Sequence, residues 1–280
     1  MQDLIWSPAA QHASWGTPVS GGTTVSASNL FDLTGRRALV TGSGQGIGFS
    51  LARGLAQAGA EIILNDIDPS RLEGAATTLR DAGVIVHTLP FDVTAPEAVA
   101  AAIDGFEAET GPIDILVNNA GMQVRAPLEA FPVERFDALM RLNLNAVFYC
   151  GQAVARHMIG RGAGKIVNIC SVQTALARPS IAPYTASKGG VANLTKGMAT
   201  DWARHGLQIN GLAPGYFKTE LTSALVADEA FTVWLSARTP AGRWGDVEEL
   251  IGACVFLASP ASSFVNGHIL YVDGGITSSV

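Results

Sequence analysis

Cysteine is scarce in this chain of 280 residues: Cys150, Cys170 and Cys254 are an odd set, far apart and without CxxC spacing. That excludes a disulfide framework and a thiolate metal site, and it reads as three reduced core thiols in a cytoplasmic protein. The five histidines form no HxxxH or HExxH pair, so no metal is expected. Charge is sparse too, at 15%, and 18 Lys+Arg against 24 Asp+Glu leave a net charge of −6. A polyanion such as nucleic acid is therefore not an expected partner. No apolar run approaches the ~18–20 residues of a membrane span, so no membrane partner is expected either. The 31 glycines have no three-residue period, which excludes collagen. What remains is 48% hydrophobic residues in a length suited to one large α/β domain.

Residues 1–30 stand apart, with five Ser, three Thr, three Gly, two Pro, a single acid (Asp3) and no Lys or Arg. A secretory signal needs a basic start and an apolar stretch, and this segment has neither. It reads as an N-terminal extension, either flexible or, since Trp6 and Trp15 are costly to leave in water, docked. Residues 31–280 read as one domain.

Within that domain short β-branched runs alternate with amphipathic segments. Strands are expected at Arg37 to Val40, Glu61 to Asn65, Val84 to Leu89, Ile113 to Val117, Lys165 to Ile169, Leu207 to Asn210 and His268 to Val272. Most lack polar alternation, as strands buried on both faces do. Ile47, Leu51, Leu55 and Ala58 recur at helical spacing, as do Val99, Ile103 and Phe106. Gly59 and Gly83 stand where helices should stop. The expected fold is α/β: a single Rossmann-type, doubly wound parallel sheet of about seven strands with helices on both faces. Residues 218–245 are too long for a plain connection. Their Leu221, Leu225, Phe231, Trp234 and Leu235 predict a small helical lid, with Trp244 either part of it or simple packing.

The first strand runs into Thr41-Gly42-Ser43-Gly44-Gln45-Gly46-Ile47-Gly48. Such a turn lets backbone approach a pyrophosphate and aims the N–H groups of the next helix at it, which makes Gly42, Ser43, Gln45, Gly46, Ile47 and Gly48 candidate cofactor residues. The second strand leads into Asp66, whose carboxylate can accept from the hydroxyls of an adenosine ribose and repels a 2′-phosphate. With no Arg or Lys in residues 41–50, this points to NAD over NADP. Asp92 and Val93, past the third strand, stand where an adenine amino group would be read, or where a loop simply turns.

Tyr184 and Lys188 are four apart in a helical segment, on one face. A free phenol titrates near ~10, and a neighbouring cation lowers that value. Ser171, directly after the Lys165 to Ile169 run, faces the crevice at the carboxyl end of a parallel strand and can donate to a carbonyl oxygen.

With the Thr41 to Gly48 turn, Asn118-Asn119-Ala120-Gly121, Asn143, Ser171, Tyr184 with Lys188, and Pro214-Gly215 followed by Thr219, the chain from Leu33 to about Gly275 resembles the short-chain dehydrogenase/reductase family. The resemblance implies that Tyr184 is the acid in reduction and the base in oxidation. It implies that Lys188 lowers the phenol's pKa and holds the nicotinamide ribose, that Ser171 polarises the substrate carbonyl, and that Asn143 anchors a relay water. Asn119, Ala120 and Gly121 would line the cofactor, Asn118 would tie strands together, and Pro214, Gly215 and Thr219 would meet the carboxamide. A homotetramer is implied through the last strand, Val265 to Gly275.

Three stretches, Gly121 to Arg125, Ile169 to Gln173, and Ala213 to Glu220 continuing to Arg238 to Gly245, look like a branch of that family acting on gluconate and 5-keto-gluconate. Reductases of that branch often prefer NADPH, so NADP stays as the alternative cofactor. A small polyhydroxy acid needs a cation and several polar partners, and Arg125, Arg178, Gln123, Gln173 and Tyr216 all fall on loops facing the crevice. Competing readings are a 3-oxoacyl-carrier-protein reductase, another sugar or polyol dehydrogenase, or a nucleotide-sensing regulator without turnover.

Overall fold

The structure, a computed structural model, describes residues 29–280. The extension expected over residues 1–30, with Trp6 and Trp15, lies outside the described residues but for its last two. All seven expected strands form: β1 (Arg37–Val40), β2 (Glu61–Leu64), β3 (Val86–Thr88), β4 (Ile115–Asn118), β5 (Gly164–Ile169), β6 (Leu207–Pro214) and, after two short strands β7 (Phe217–Lys218) and β8 (Gly245–Asp246), β9 (Ile269–Val272). They make one sheet of order β3-β2-β1-β4-β5-β6-β9, every pairing parallel.

Parallel strands covered on both faces send alternate side chains into opposite cores. Ala38, Val40, Ile62, Leu64, Ile115 and Val117 point to one face, where they meet helices α1 (Gly46–Gln57), α2 (Pro69–Asp81) and, late in the chain, α9 (Ile251–Ala258). Leu39, Ile63, Leu116, Ile166 and Ile209 point to the other, against α3 (Pro96–Glu109), α5 (Ala146–Arg161) and α6 (Ala182–Trp202). The remaining helix ahead of α5 is α4 (Val133–Met140), joined to it by a π-helical turn at Arg141–Asn145. Cys150, Cys170 and Cys254 are free and buried, and burial pushes their thiols up to about 12, 11 and 12.

The strand order reverses between β1 and β4, and in open α/β sheets a crevice opens there at the carboxyl ends. Over it sit α7 (Ser223–Val226) and α8 (Glu229–Arg238), the expected lid. Leu235 and Trp244 anchor it on Val172 and Ile276, with Tyr216, Leu225 and Phe231 packed alongside. Trp244 is packing: it is 5% exposed and its indole N–H donates to Thr232 Oγ1 at 3.2 Å. The side chain of Leu221 lies outside the described residues.

Candidate active site

A cleft of about 670 Å³ runs along the carboxyl ends of the strands, and every residue picked from the sequence lines it except Ser43 and Asn143. Both exceptions have the same physical cause, a side chain consumed by the scaffold. Ser43 is fully buried; its hydroxyl donates to Val40 O at 2.8 Å and accepts from Asn65 N–H at 3.1 Å, stitching β1 to β2. Asn143 is fully buried in the π-turn, where both its N–H donors are used, on Met122 O at 2.9 Å and Ser187 Oγ at 3.2 Å. Its Oδ1 accepts from Met122 N–H at 2.9 Å. The side-chain amide is therefore a brace for the Met122 loop, and a relay water would have to use backbone instead.

The glycine turn is shaped as expected. Gly42 and Gly46 have φ of +61° and +60°, open to glycine at little cost. A Cβ on Gly42 would stand 2.9 Å from Ala120 Cα, and one on Gly48 would collide with Gly42 O, so the small residues let this turn and the Asn119–Gly121 loop interlock. Asn119 Nδ2 donates to Thr41 O and Gly42 O at 2.9 and 3.0 Å, while Thr41 Oγ1 accepts from the N–H groups of Asn119 and Ala120. Helix α1 begins without a side-chain cap or an acid in its first turn, leaving its N–H groups to an anion in the cleft. Asp66 is nearly buried at the end of β2, accepting from Gly44 N–H at 3.1 Å and Asp68 N–H at 3.0 Å. Asp92 serves the turn, its Oδ1 accepting from Thr94 N–H and Oγ1 at 2.8 Å each, and lines the cleft as well. These features fit a dinucleotide: a glycine cradle, an open helix N-terminus and a carboxylate at the β2 end.

Further along, Tyr184 and Lys188 project from the first two turns of α6, and Ser171 follows β5. The Ser171 hydroxyl accepts from Gln173 N–H at 3.2 Å and neighbours the Tyr184 phenol. Burial pushes that phenol above its ordinary value, and the Ser171 hydroxyl pulls the other way. Lys188 donates to Ile169 O at 2.7 Å and lies 5.8 Å from the Tyr184 ring centroid. Burial lowers its ammonium to about 8. In this geometry desolvation, not the lysine charge, governs the phenol.

The neighbouring end of the cleft is cationic. Arg125 and Arg178 face the same space: burial lowers the Arg125 guanidinium, and the charge of Arg178 adds to the effect. Arg178 stands over the Phe231 ring at 5.5 Å, and its charge works to lower the Tyr216 phenol, which accepts from Gln173 Nε2 at 3.4 Å. Gln173 Oε1 and Arg178 Nε are buried and find no partner among the described residues. Arg71, which the sequence reading passed over, also lines the cleft beside Asp66. Its signal was its place at the start of the helix following β2, behind the Asp68 cap.

A dinucleotide-shaped cleft meeting a Ser–Tyr–Lys cluster defines an NAD(P)-dependent oxidoreductase acting on CH–OH groups. Residues 42–277 match the family described as "Enoyl-(Acyl carrier protein) reductase" (adh_short_C2), and the chain belongs to the short-chain dehydrogenase/reductase family. It is 64% identical to gluconate 5-dehydrogenase of Gluconobacter oxydans over 252 residues, 90% of this chain and 98% of that one. It is 55% identical to 5-keto-D-gluconate 5-reductase of Escherichia coli over 252 residues, covering 90% and 99%. Among solved structures, a gluconate 5-dehydrogenase from Burkholderia cenocepacia in complex with NADP and tartrate superposes with a TM-score of 0.89 at 62% identity, covering 91% of this chain and all of that one.

Proposed function

We propose that the chain interconverts gluconate and 5-keto-gluconate in the cytoplasm, with Tyr184 as acid and base and with NAD preferred over NADP. The observation that carries the substrate is the pairing of Arg125 and Arg178 around Tyr216 and Gln173, within one cleft with Tyr184. A carboxylate takes two parallel N–H donors from a guanidinium, and buried unpaired donors and acceptors such as Arg178 Nε and Gln173 Oε1 suit a polyhydroxylated ligand. Gln123 adds an amide to the same wall. The relatives named for gluconate and 5-keto-gluconate support the same substrate.

When bound, a nicotinamide dinucleotide accepts or supplies the hydride. The chain's own residues handle the proton. Tyr184 gives its phenolic proton to the substrate oxygen during reduction and takes it back during oxidation. Ser171 donates to that same oxygen and holds it beside the phenol. Lys188, tied to Ile169 O, keeps a cation near the phenolate as it forms and reaches the ribose of the cofactor. Asn143 keeps the Met122 loop in place behind them. At the other end Asp66 offers acceptors to ribose hydroxyls and repels a 2′-phosphate, which favours NAD. Gly42, Gln45, Gly46, Ile47 and Gly48 take the pyrophosphate, Asp92 and Val93 flank the adenine, and Pro214, Gly215 and Thr219 close on the carboxamide.

Residues 31–280 work as this catalytic unit, and a homotetramer fits two uncovered apolar features. Phe148, 40% exposed, sits with Leu144, Tyr149 and Leu194 on a hollow between α5 and α6, and Phe264, fully exposed, precedes the edge strand β9. The test is nicotinamide absorbance with gluconate, 5-keto-gluconate, polyols and 3-oxoacyl thioesters, each with both cofactors, alongside the mass in solution. Turnover of the gluconate pair is expected. Activity on 3-oxoacyl thioesters instead would replace the substrate, and silence on all of them would favour a nucleotide-sensing role.

A further inference from the structure

We propose that Gly44 selects the cofactor together with Asp66, by leaving empty the space into which the Asp66 carboxylate fits. The proposal rests on the reading of Asp66 as the residue that meets the adenosine ribose, and it adds a second residue to that choice. The other glycines of the turn have their own reasons: Gly42 and Gly46 adopt positive φ, and Gly48 abuts Gly42 O. Gly44 does not occupy the left-handed region, so its backbone would accept alanine. What excludes a side chain is the neighbourhood. A Cβ built on Gly44 stands 2.7 Å from Asp66 Oδ2 and 2.9 Å from Arg71 Cβ.

These two neighbours yield differently. Arg71 Cβ is fastened to the backbone of the first turn of α2, a turn capped by Asp68 through the N–H groups of Ser70 and Arg71. Asp66 Oδ2 is the free end of a short side chain. Accommodation therefore falls first on the carboxylate, and the remaining 2.9 Å approach to Arg71 Cβ asks the first turn of α2 to give slightly. That carboxylate is held in one orientation, Oδ2 on Gly44 N–H and Oδ1 on Asp68 N–H, and each oxygen keeps a lone pair for a ribose hydroxyl. Turning it away breaks the Gly44 bond and withdraws those acceptors together. The cation on that rim is Arg71, paired with Asp68 at 3.0 Å, so a 2′-phosphate meets less repulsion from the displaced carboxylate and keeps a guanidinium within the cleft.

The experiment uses the full chain and no substrate: dissociation constants of NADH and NADPH by quenching of protein fluorescence, for the wild type, Gly44→Ala, Asp66→Ala and the double variant. Circular dichroism and Tm accompany each. Gly44→Ala should weaken NADH about tenfold, the change carried by one charge-assisted hydrogen bond, and leave NADPH within about threefold. In the Asp66→Ala background the same substitution should change NADH by less than about threefold, because the residue it displaces is gone. Equal weakening of both cofactors, or an undiminished loss in that background, would overturn the proposal by showing general damage to the turn. If Gly44→Ala lowers Tm too far for binding to be read, recovery of Tm in the double variant places the clash at Asp66, and no recovery overturns it. A wild-type NAD preference abolished by Asp66→Ala but kept by Gly44→Ala would sink this proposal alone. Asp66→Ala without effect on the NADH to NADPH ratio would sink the NAD reading as well.

Discussion

The two ends of the cleft are built on opposite principles. At the glycine end, polar groups are satisfied from within: Asp66 accepts two backbone N–H bonds, Asn119 spans Thr41 and Gly42, and Thr41 Oγ1 takes two more N–H groups. At the arginine end, Gln173 Oε1 and Arg178 Nε are buried without a partner among the described residues, two guanidiniums oppose each other, and burial raises the Tyr216 phenol. Each such unpaired group costs about 1–3 kcal/mol, which the fold carries until a polar ligand completes it. At the first end the side chains are already bonded and the N–H groups of α1 wait for the ligand, whereas at the other the side chains themselves are completed by it. Changes at the first should therefore act through backbone shape and changes at the second through single side chains.

The largest effect is expected where the two ends meet. Tyr184→Phe should keep the fold and the cofactor dissociation constant while kcat drops about 10²–10⁴-fold, the contribution of a positioned acid–base group. Turnover within tenfold of wild type would remove Tyr184 from the chemistry. Next, Arg178→Ala should raise KM for the sugar acid about 10–100-fold, with cofactor affinity unchanged. Arg178→Lys should recover only part, since an ammonium keeps the charge without the fork. An equal loss of cofactor affinity would mean that the ends are not separate.

The pH profile sharpens the same boundary. Burial raises the Tyr184 phenol, so its proton-carrying form prevails at neutral pH and its base form is scarce. Oxidation, which needs the base, should climb by up to about tenfold per pH unit on the alkaline side, while reduction, which needs the acid, stays flat before it declines. Lys188, lowered to about 8, loses its charge in the same alkaline range and should blunt the climb. An oxidation rate indifferent to pH would place the base elsewhere.

The contrast also explains what could be read from the residues in order. The glycine end is written in backbone needs, and glycines, a strand before them and an acid after the next strand are visible in one dimension. The seven strands were legible for the same reason, although β6 continues through Gly211 and Ala213 to Pro214, poor strand formers held in place by β5 and β9 on either side. That the side chains of Ser43 and Asn143 turn into the scaffold could not be read, because spacing places a residue in a loop but not the direction of its side chain. Arg71 was missed because only the β2–α2 turn brings it back beside Asp66. That Arg125 and Arg178 share a space follows from a contact between distant loops, which no local pattern encodes.

That contact yields the smallest and most particular test. Ser180 is the one non-glycine residue with positive φ among those described, at 69°. Its carbonyl accepts from Ala126 N–H at 3.2 Å, joining the loop that carries Arg125 to the loop that carries Arg178. A serine in the left-handed region pays about 1–2 kcal/mol, part of which Ser180→Gly would lose again through the greater freedom of the unfolded chain. The net expectation is a gain of about 0.5 kcal/mol, or ~1–2 °C in Tm. A fall in Tm would show that the serine is not strained. With Tm raised, KM for the sugar acid separates two causes: a rise of a few fold means that the rigidity of Ser180 holds the guanidiniums together, and an unchanged KM means that the Ala126 to Ser180 bond alone suffices.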